Sequence, residues 1–318
     1  MHRYLVTGCA GFIGSWITQT LIERGATVRG LDNFETGKRE NLSHLAGRFE
    51  FVECDLRDAD GVARACEDVD SILHQGALPS VPRSVKDPRT SHTANLDGTL
   101  NLLEGARAAA VKRIIYAASS SAYGNQPGFP RVESMMPMPI APYPVQKLAG
   151  EFYMKSYWQV YGLETVCLRY FNIFGPRQDP NSPYSGVMAK LTLQMLRGER
   201  PTLNGDGEQG RDFTYIDNAV SANLLALDAP AEKVAGRVFN VACGEGHTIN
   251  KTFRTLADLL DFKEPPIYGP PRAGDIQNSL ADISAAREAF GYEPKVSFEE
   301  GLRRTVAWYR DQFSSAPV

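Results

Sequence analysis

Five cysteines in 318 residues, none of them in a CxxC pair, supply no framework for disulfides or a zinc ribbon. Cys9, Cys54, Cys66, Cys167 and Cys243 read instead as reduced core thiols of a cytoplasmic chain, three of them beside or within apolar strand-like segments. The five histidines show no ligand spacing, so no metal is expected. Charge of one sign is equally scarce. The formal net charge is −3 and like charges do not cluster, which excludes the basic field that holds nucleic acid and the charged helix that rides a membrane surface. No apolar run approaches ~18 residues, and a first strand starting at residue 3 leaves no room for a signal peptide. Internal repeats and low-complexity segments are missing too, which sets aside solenoids and linkers. What is present is 43% apolar residues, enough for one large domain carrying a smaller one.

Strand-like and helix-like segments alternate through the first half, with strands at 3–7, 27–31, 49–54, 70–74 and 112–117 and helices at 12–24, 58–66 and 90–109. Alternation of this kind predicts an α/β fold, a doubly wound parallel Rossmann sheet with helices on both faces. A helix from Tyr143 to about Tyr161 and a strand at 164–169 continue it. Residues 172–212 then turn rich in Gly, Pro, Asn and Asp around one helix at 187–197, the texture of a ligand-covering lobe. Residues 213–227 read as a strand fragment and helix that return to the sheet, 237–242 as a further strand, and 248–318 as two helical patterns. The predicted division is a discontinuous Rossmann domain, 1–171 with about 213–243, and a smaller mixed α/β lobe, about 172–212 with 244–318.

The first strand runs directly into Gly8-Cys-Ala-Gly11-Phe12-Ile13-Gly14. Glycines three apart between a strand and an amphipathic helix make a turn whose backbone N–H groups and helix N-terminus can approach a pyrophosphate. The second strand ends in Asp32, roughly 20 residues past the turn, where a carboxylate accepts from a ribose hydroxyl and repels a 2′-phosphate. The cofactor expected is therefore NAD. Farther on, Tyr143 and Lys147 stand one helical turn apart, which places phenol and ammonium on one face. Bringing a tyrosine from ~10 to about 7 takes roughly 4 kcal/mol, and a cation at ~4 Å in an effective dielectric of ~20 supplies about that much.

Taken with the serine cluster Ser119-Ser120-Ser121-Ala-Tyr123-Gly124, these features resemble the extended short-chain dehydrogenase/reductases that act on nucleotide sugars, over nearly the whole chain. The stretches His74–Ser84, Leu168–Pro180 and Asn204–Phe213 are most similar to the UDP-N-acetylglucosamine 4-epimerases. The resemblance implies that Gly8, Gly11, Phe12, Ile13, Gly14, Asp32 and Asn33 hold the pyrophosphate and adenosine ribose of NAD. It sets Asp55 and Leu56 beside the adenine, Gln75, Gly76 and Ala77 along the cofactor, and Asn95 near the active-site helix, with Tyr143 and Lys147 at the nicotinamide ribose. Asn172, Arg211, Arg272 and Asp275 match positions that grip UDP, and Arg83 belongs to the substrate side. In the family one serine of the cluster completes a Ser/Tyr/Lys set; Ser119 is the stronger match and Ser121 stays open.

The implied activity is inversion at C4 of a UDP-hexose, with Tyr143 as base, Lys147 lowering its pKa and the serine polarising the oxygen. A 4,6-dehydratase needs an acidic pair where Ser120 and Ser121 stand, whereas a UDP-glucuronate 4-epimerase shares the whole machinery; a cofactor-sensing binding protein would have lost Tyr143 or Lys147. Ser279 stands where a tyrosine in such enzymes excludes N-acetyl groups, so UDP-GlcNAc and UDP-GalNAc should fit, along with UDP-Glc and UDP-Gal. Pro142 and Pro144 flank the tyrosine, which predicts that Tyr143 sits at or near its helix start. A homodimer through helices 90–109 and 144–161 is implied by the family, with Leu148, Phe152, Tyr153 and Trp158 as the apolar residues on offer.

Overall fold

The computed structural model describes residues 2–180, 186–271 and 278–314, with the side chains of 313 and 314 excepted. Seven strands form one sheet: β1 (Arg3–Thr7), β2 (Thr27–Asp32), β3 (Glu50–Glu53), β4 (Ser71–His74), β5 (Arg113–Ser119), β6 (Glu164–Tyr170) and β7 (Arg237–Val241). Their spatial order is β3-β2-β1-β4-β5-β6-β7, and every pairing is parallel. The order reverses direction between β1 and β4. At such a switch point the loops leaving the strand ends diverge, and the crevice between them is where a doubly wound sheet binds its ligand.

The expected α/β architecture is thus present, and alternation along each strand explains why both faces are covered. Leu5 and Val6, Ile72 and Leu73, and Ile114 and Ile115 are adjacent pairs whose members enter opposite cores. One core lies against α2 (Ala59–Cys66), α3 (Gly98–Ala108) and α4 (Pro142–Tyr161), through Val62, Leu102, Leu103 and Met154. The other lies against α1 (Phe12–Glu23), through Ile17 and Leu21, and extends to α5 (Val187–Leu196) and α6 (Ile216–Asp228) through Leu191 and Leu224.

Three expectations about elements change. The helix at 90–109 is broken: short helices at Val81–Lys86 and Pro88–His92, capped by Ser80 and Asp87 with prolines in their first turns, lead into a π turn at Thr93–Asp97 before α3. Among the described residues the tail carries three helices, α7 (Ile249–Leu260), α8 (Ser284–Phe290) and α9 (Phe298–Ser314). Residues 213–227 do not rejoin the main sheet with their strand fragment; Thr214–Tyr215 pairs with Ile173–Phe174. Short strands also build the lobe, with Gly210–Asp212 between Gly246–Thr248 and Asn278–Ser279, and Thr202–Asn204 beside Ile267–Gly269. All five cysteines are free, as expected, but Cys54 and Cys243 are only half-buried rather than core residues, because they sit where strands open into loops.

Candidate active site

A cleft of about 770 Å³ opens at the switch point. Its floor begins with the glycine turn. Gly8 has φ +66°, and a Cβ there would lie 2.7 Å from the Gly76 nitrogen; a Cβ on Gly14 would lie 2.0 Å from the Gly8 carbonyl oxygen. No larger residue fits either place. Gly11 precedes α1 without a side-chain cap, so N–H groups of the first helical turn, at Phe12 and Ile13, are left for an anion in the cleft they line. Asp32 is 7% exposed and accepts from the Ala10 and Phe34 nitrogens at 2.9 and 2.8 Å, which aims it across the turn. Burial raises its carboxyl above the ordinary range, and these N–H groups pull the other way.

Gln75, Gly76 and Ala77 line the same cleft from the end of β4. Asn33, Asp55 and Leu56 line a side recess of about 50 Å³ that Asp32 and Gly76 also border. There Asn33 Nδ2 donates to Asp55 at 2.6 Å, and Arg57 bridges Asp55 at 2.6 Å to Glu35 at 3.1 Å. The Arg57 hydrogen bonds hold the Asp55 carboxyl down at about 2. Arg83 lines the cleft as well, 3.6 Å from Glu35, and so stands on the wall shared with the recess. Asn95 does not face the cleft. It is 1% exposed and its carboxamide is spent on the Leu78 backbone, accepting from the nitrogen at 2.6 Å and donating to the oxygen at 3.1 Å, and on Gln146 of α4 at 2.9 Å. Its place is behind the wall, holding segment 75–78 against α4.

Ser119 ends β5, and α4 brings Tyr143 and Lys147 to it from the side; all three line the cleft. The Ser119 hydroxyl lies beside the Tyr143 phenol on the cleft and 2.7 Å from the Ser121 hydroxyl. Ser121 stands behind Ser119 and does not line the cleft. The helix starts at Pro142, with Ala141 as its cap, so Tyr143 is its second residue, as the flanking prolines predict. Neither proline has an N–H to satisfy, and the Tyr143 N–H goes to the fully buried Ser84 hydroxyl at 3.0 Å.

The electrostatics differ from the sequence expectation. Lys147 Nζ donates to the Ala117 carbonyl at 2.8 Å and lies 4.8 Å from the Tyr116 ring centre, and in the chain without cofactor burial is the main influence on the Tyr143 phenol. Burial pushes the Tyr143 phenol up to about 12, opposed by the Ser119 hydrogen bond, and pulls Lys147 down to about 8. Desolvation is the larger influence on both groups, with Lys147 3% exposed and Tyr143 half-buried on the cleft wall. The chain alone keeps the phenol protonated, and an added positive charge in the cleft is what would shift it.

On the lobe side, Asn172, held at φ 39°, lines the cleft and donates from Nδ2 to the Asp212 carbonyl at 2.8 Å and to the Ser279 hydroxyl at 3.4 Å. Arg211 is the register partner of Ser279, and its guanidinium donates to the Gly210 carbonyl at 2.9 Å. Arg272 and Asp275 lie outside the described residues. Several cleft residues were given no role by the sequence, although Ser80, Tyr170 and Arg177 lie inside the stretches His74–Ser84 and Leu168–Pro180. Glu35, Lys38 and Asn41 follow β2; Ser80 precedes a short helix; Tyr170 ends β6; Arg177 lies beyond Ile173–Phe174. Lys38 meets Asp179 at 2.9 Å, joining the segment after β2 to the one after Ile173–Phe174. The signal common to all of them was position, since loops after strands of a parallel sheet all reach its carboxyl edge. Among the described residues, no group of three or more His, Cys, Asp or Glu could hold a metal ion.

Comparison with known proteins agrees with this geometry. The family model described as the NAD-dependent epimerase/dehydratase family matches residues 4–242. The chain is 37% identical to UDP-glucose 4-epimerase of Mycolicibacterium smegmatis, covering 98% of this chain and 99% of that one. A solved UDP-N-acetylglucosamine 4-epimerase from Methanobrevibacter ruminantium, in complex with UDP-N-acetylmuramic acid, superposes with TM-score 0.92 at 41% identity, over 98% and 99% of the two chains. The UDP-glucuronic acid 4-epimerase of Bacillus cereus, solved with UDP-glucuronic acid and NAD, gives TM-score 0.90 at 32% identity, again over 98% and 99%. With a glycine turn that admits no Cβ, a buried acid at the end of β2 and a Ser/Tyr/Lys set beside them, this chain belongs to the NAD-dependent epimerase/dehydratase family.

Proposed function

We propose that the protein interconverts UDP-hexoses epimeric at C4, the N-acetylated pair UDP-GlcNAc and UDP-GalNAc among them and the UDP-Glc and UDP-Gal pair as well. The observation that carries this reading is that Ser119, Tyr143 and Lys147 line the same cleft as the glycine turn. NAD, bound there, supplies a hydride acceptor and donor and a positive charge. Gly8, Gly11 and Gly14 let it approach the backbone, and Asp32 and Asn33 take its ribose, with Asp55 and Leu56 beside the adenine. The Tyr143 oxygen, lowered from about 12 by that charge, takes the proton of the sugar 4-hydroxyl while the Ser119 hydroxyl holds the same oxygen. Lys147, fixed on the Ala117 carbonyl, keeps its charge at the cofactor ribose. Asn172, Arg211, Arg272 and Asp275 anchor UDP, so that the sugar can turn over between removal and return of hydrogen at C4.

We assign 172–212 with 244–318 to the nucleotide-sugar lobe, and we further propose a homodimer through α3 and α4. Phe152, Tyr153 and Val160 are exposed on α4. Trp158, expected on that face, packs inward against Gly236, and Leu148 is half-buried. No described helix is long and apolar enough to cross a membrane.

The test is product analysis on a panel of UDP-sugars, with Tyr143→Phe as control. Conversion of UDP-GlcNAc, and a drop of about 10²–10⁴-fold in turnover in the variant with UDP-sugar affinity within a few fold, is the expected result. Turnover of UDP-glucuronate alone would assign the protein to the acidic sugar, and a variant keeping more than about a tenth of wild-type turnover would remove Tyr143 as the base.

A further inference from the structure

Under the cleft floor, three side chains from three elements close a ring of hydrogen bonds. Asn223, fully buried on α6, donates from Nδ2 to the Tyr170 oxygen at 2.7 Å. The Tyr170 hydroxyl has two acceptors in reach, Asn223 Oδ1 at 3.0 Å and Gln75 Oε1 at 3.2 Å, and Gln75 Nε2 donates to Asn223 Oδ1 at 3.2 Å. The second Asn223 hydrogen goes to the Ala219 carbonyl of its own helix at 2.8 Å. A carboxamide has two donor hydrogens and one acceptor oxygen, so this arrangement leaves Asn223 no other orientation. It also ties down its two partners: the Tyr170 hydrogen is held between the Asn223 and Gln75 oxygens, and Gln75, donating to Asn223 from Nε2, keeps its oxygen towards Tyr170.

Gln75 and Tyr170 line the cleft, and Asn223 does not. Gln75 follows β4 and Tyr170 ends β6 as the register partner of Ser119, so the two flank the end of β5 where Ser119 meets Tyr143. The redox end of a dinucleotide has to lie against this part of the floor if it is to exchange hydride with a sugar held at Tyr143. We propose that Asn223 is a positioning residue, which through Gln75 and Tyr170 presents one fixed pattern of donor and acceptor to the nicotinamide end of the cofactor. This rests on the reading of the cleft as the site of C4 hydride exchange. Burial pushes the Tyr170 phenol up to about 12, while its hydrogen bonds to Asn223 and Gln75 pull the other way, so the ring keeps its hydrogen in the neutral range.

The test is a cycle of Asn223→Leu, Tyr170→Phe and the double variant, each purified as the NAD-loaded enzyme. Turnover is expressed per bound cofactor, with KM for the UDP-sugar measured alongside. Asn223→Leu should lower kcat about tenfold or more with KM changed less than about threefold, and the double variant should be no slower than the slower single one, since both open the same ring. A purely structural role would lower cofactor content and thermal midpoint together and leave kcat per bound cofactor unchanged. That result, or losses that multiply in the double variant, overturns the proposal. If the wild-type protein turns over no UDP-sugar, the epimerase reading fails separately. The ring is then judged on NADH fluorescence: an emission maximum and anisotropy that differ between wild type and Asn223→Leu support it, and identical spectra overturn it.

Discussion

Replacing Ser84 by alanine reaches the catalytic tyrosine through its backbone. The first turn of α4 contains Pro142, Tyr143 and Pro144, so Tyr143 carries the only N–H of those three residues, and the first helical bond is Val145 N–H to the Ala141 carbonyl. The Ser84 hydroxyl takes the Tyr143 N–H at 3.0 Å and in turn donates to the Val81 carbonyl at 2.8 Å, and Ser84 has no solvent exposure. Alanine removes little volume but strands a buried donor, whose desolvation amounts to about 1–3 kcal/mol. At roughly 2 °C per kcal/mol for a chain of this size, the thermal midpoint of the NAD-loaded enzyme should fall by about 2–6 °C. The freed N–H will also pull the start of α4 towards water, which moves the phenol away from Ser119. Turnover should therefore drop about tenfold or more, since misplacement by about 1 Å can cost that and more. Differential scanning fluorimetry and steady-state rates on the same preparation check both numbers. A midpoint within about 1 °C of wild type together with unchanged kcat would refute the claim that this hydrogen bond places Tyr143.

Other perturbations probe separate parts of the molecule. Gly14→Ala puts a Cβ 2.0 Å from the Gly8 oxygen, a backbone atom that cannot step aside, so the purified variant should carry no NAD; normal cofactor content on release by denaturation would contradict the fit. Ser279→Tyr, on the strand beside Arg211 and within 3.4 Å of Asn172, should slow the N-acetylated pair at least ~10-fold and barely touch the other pair; equal losses on both would show that Ser279 does not gate the pocket. Asp212 is fully buried, accepts from the nitrogens of Cys243, Gly244 and Ala281, and burial raises its carboxyl to about 6. Between about 4 and about 6 the folded chain then binds more protons there than the unfolded chain, so this group makes stability fall as pH rises through that window and flatten above it, by roughly 3 kcal/mol in all. Asp212→Asn should abolish that slope while lowering stability at neutral pH, because its NH₂ would face donor N–H groups; thermal midpoints measured from pH 4 to 7 with the same slope in both proteins would dismiss the assignment.

What the sequence determined by itself were the features set by local geometry. The glycine turn is legible because three glycines between a strand and a helix answer to backbone sterics alone. The parallel sheet is legible because its strands are short, apolar and separated by helical stretches. Tyr143 and Lys147 share a face through spacing within one helix, and two prolines fix the tyrosine's place at its start. The helix expected at 90–109 failed for a tertiary reason. A π turn at Thr93–Asp97 lets Asn95 reach Leu78 and Gln146, and Gly98 admits Leu56, whose Cβ would stand 2.7 Å from a Cβ at that position. Tertiary structure alone decided which serine lines the cleft beside Tyr143: Ser119 does, where β5 ends against α4, and Ser121 does not. It also sets the electrostatics of the Tyr143 and Lys147 pair in the chain without cofactor. Charge spacing is written in the chain, but desolvation depends on everything packed around a group, and here it raises the phenol and lowers the ammonium. The Asn223 ring and the Ser84 hydrogen bond join residues far apart in sequence, because hydrogen bonds between side chains follow the fold and carry no period along the chain.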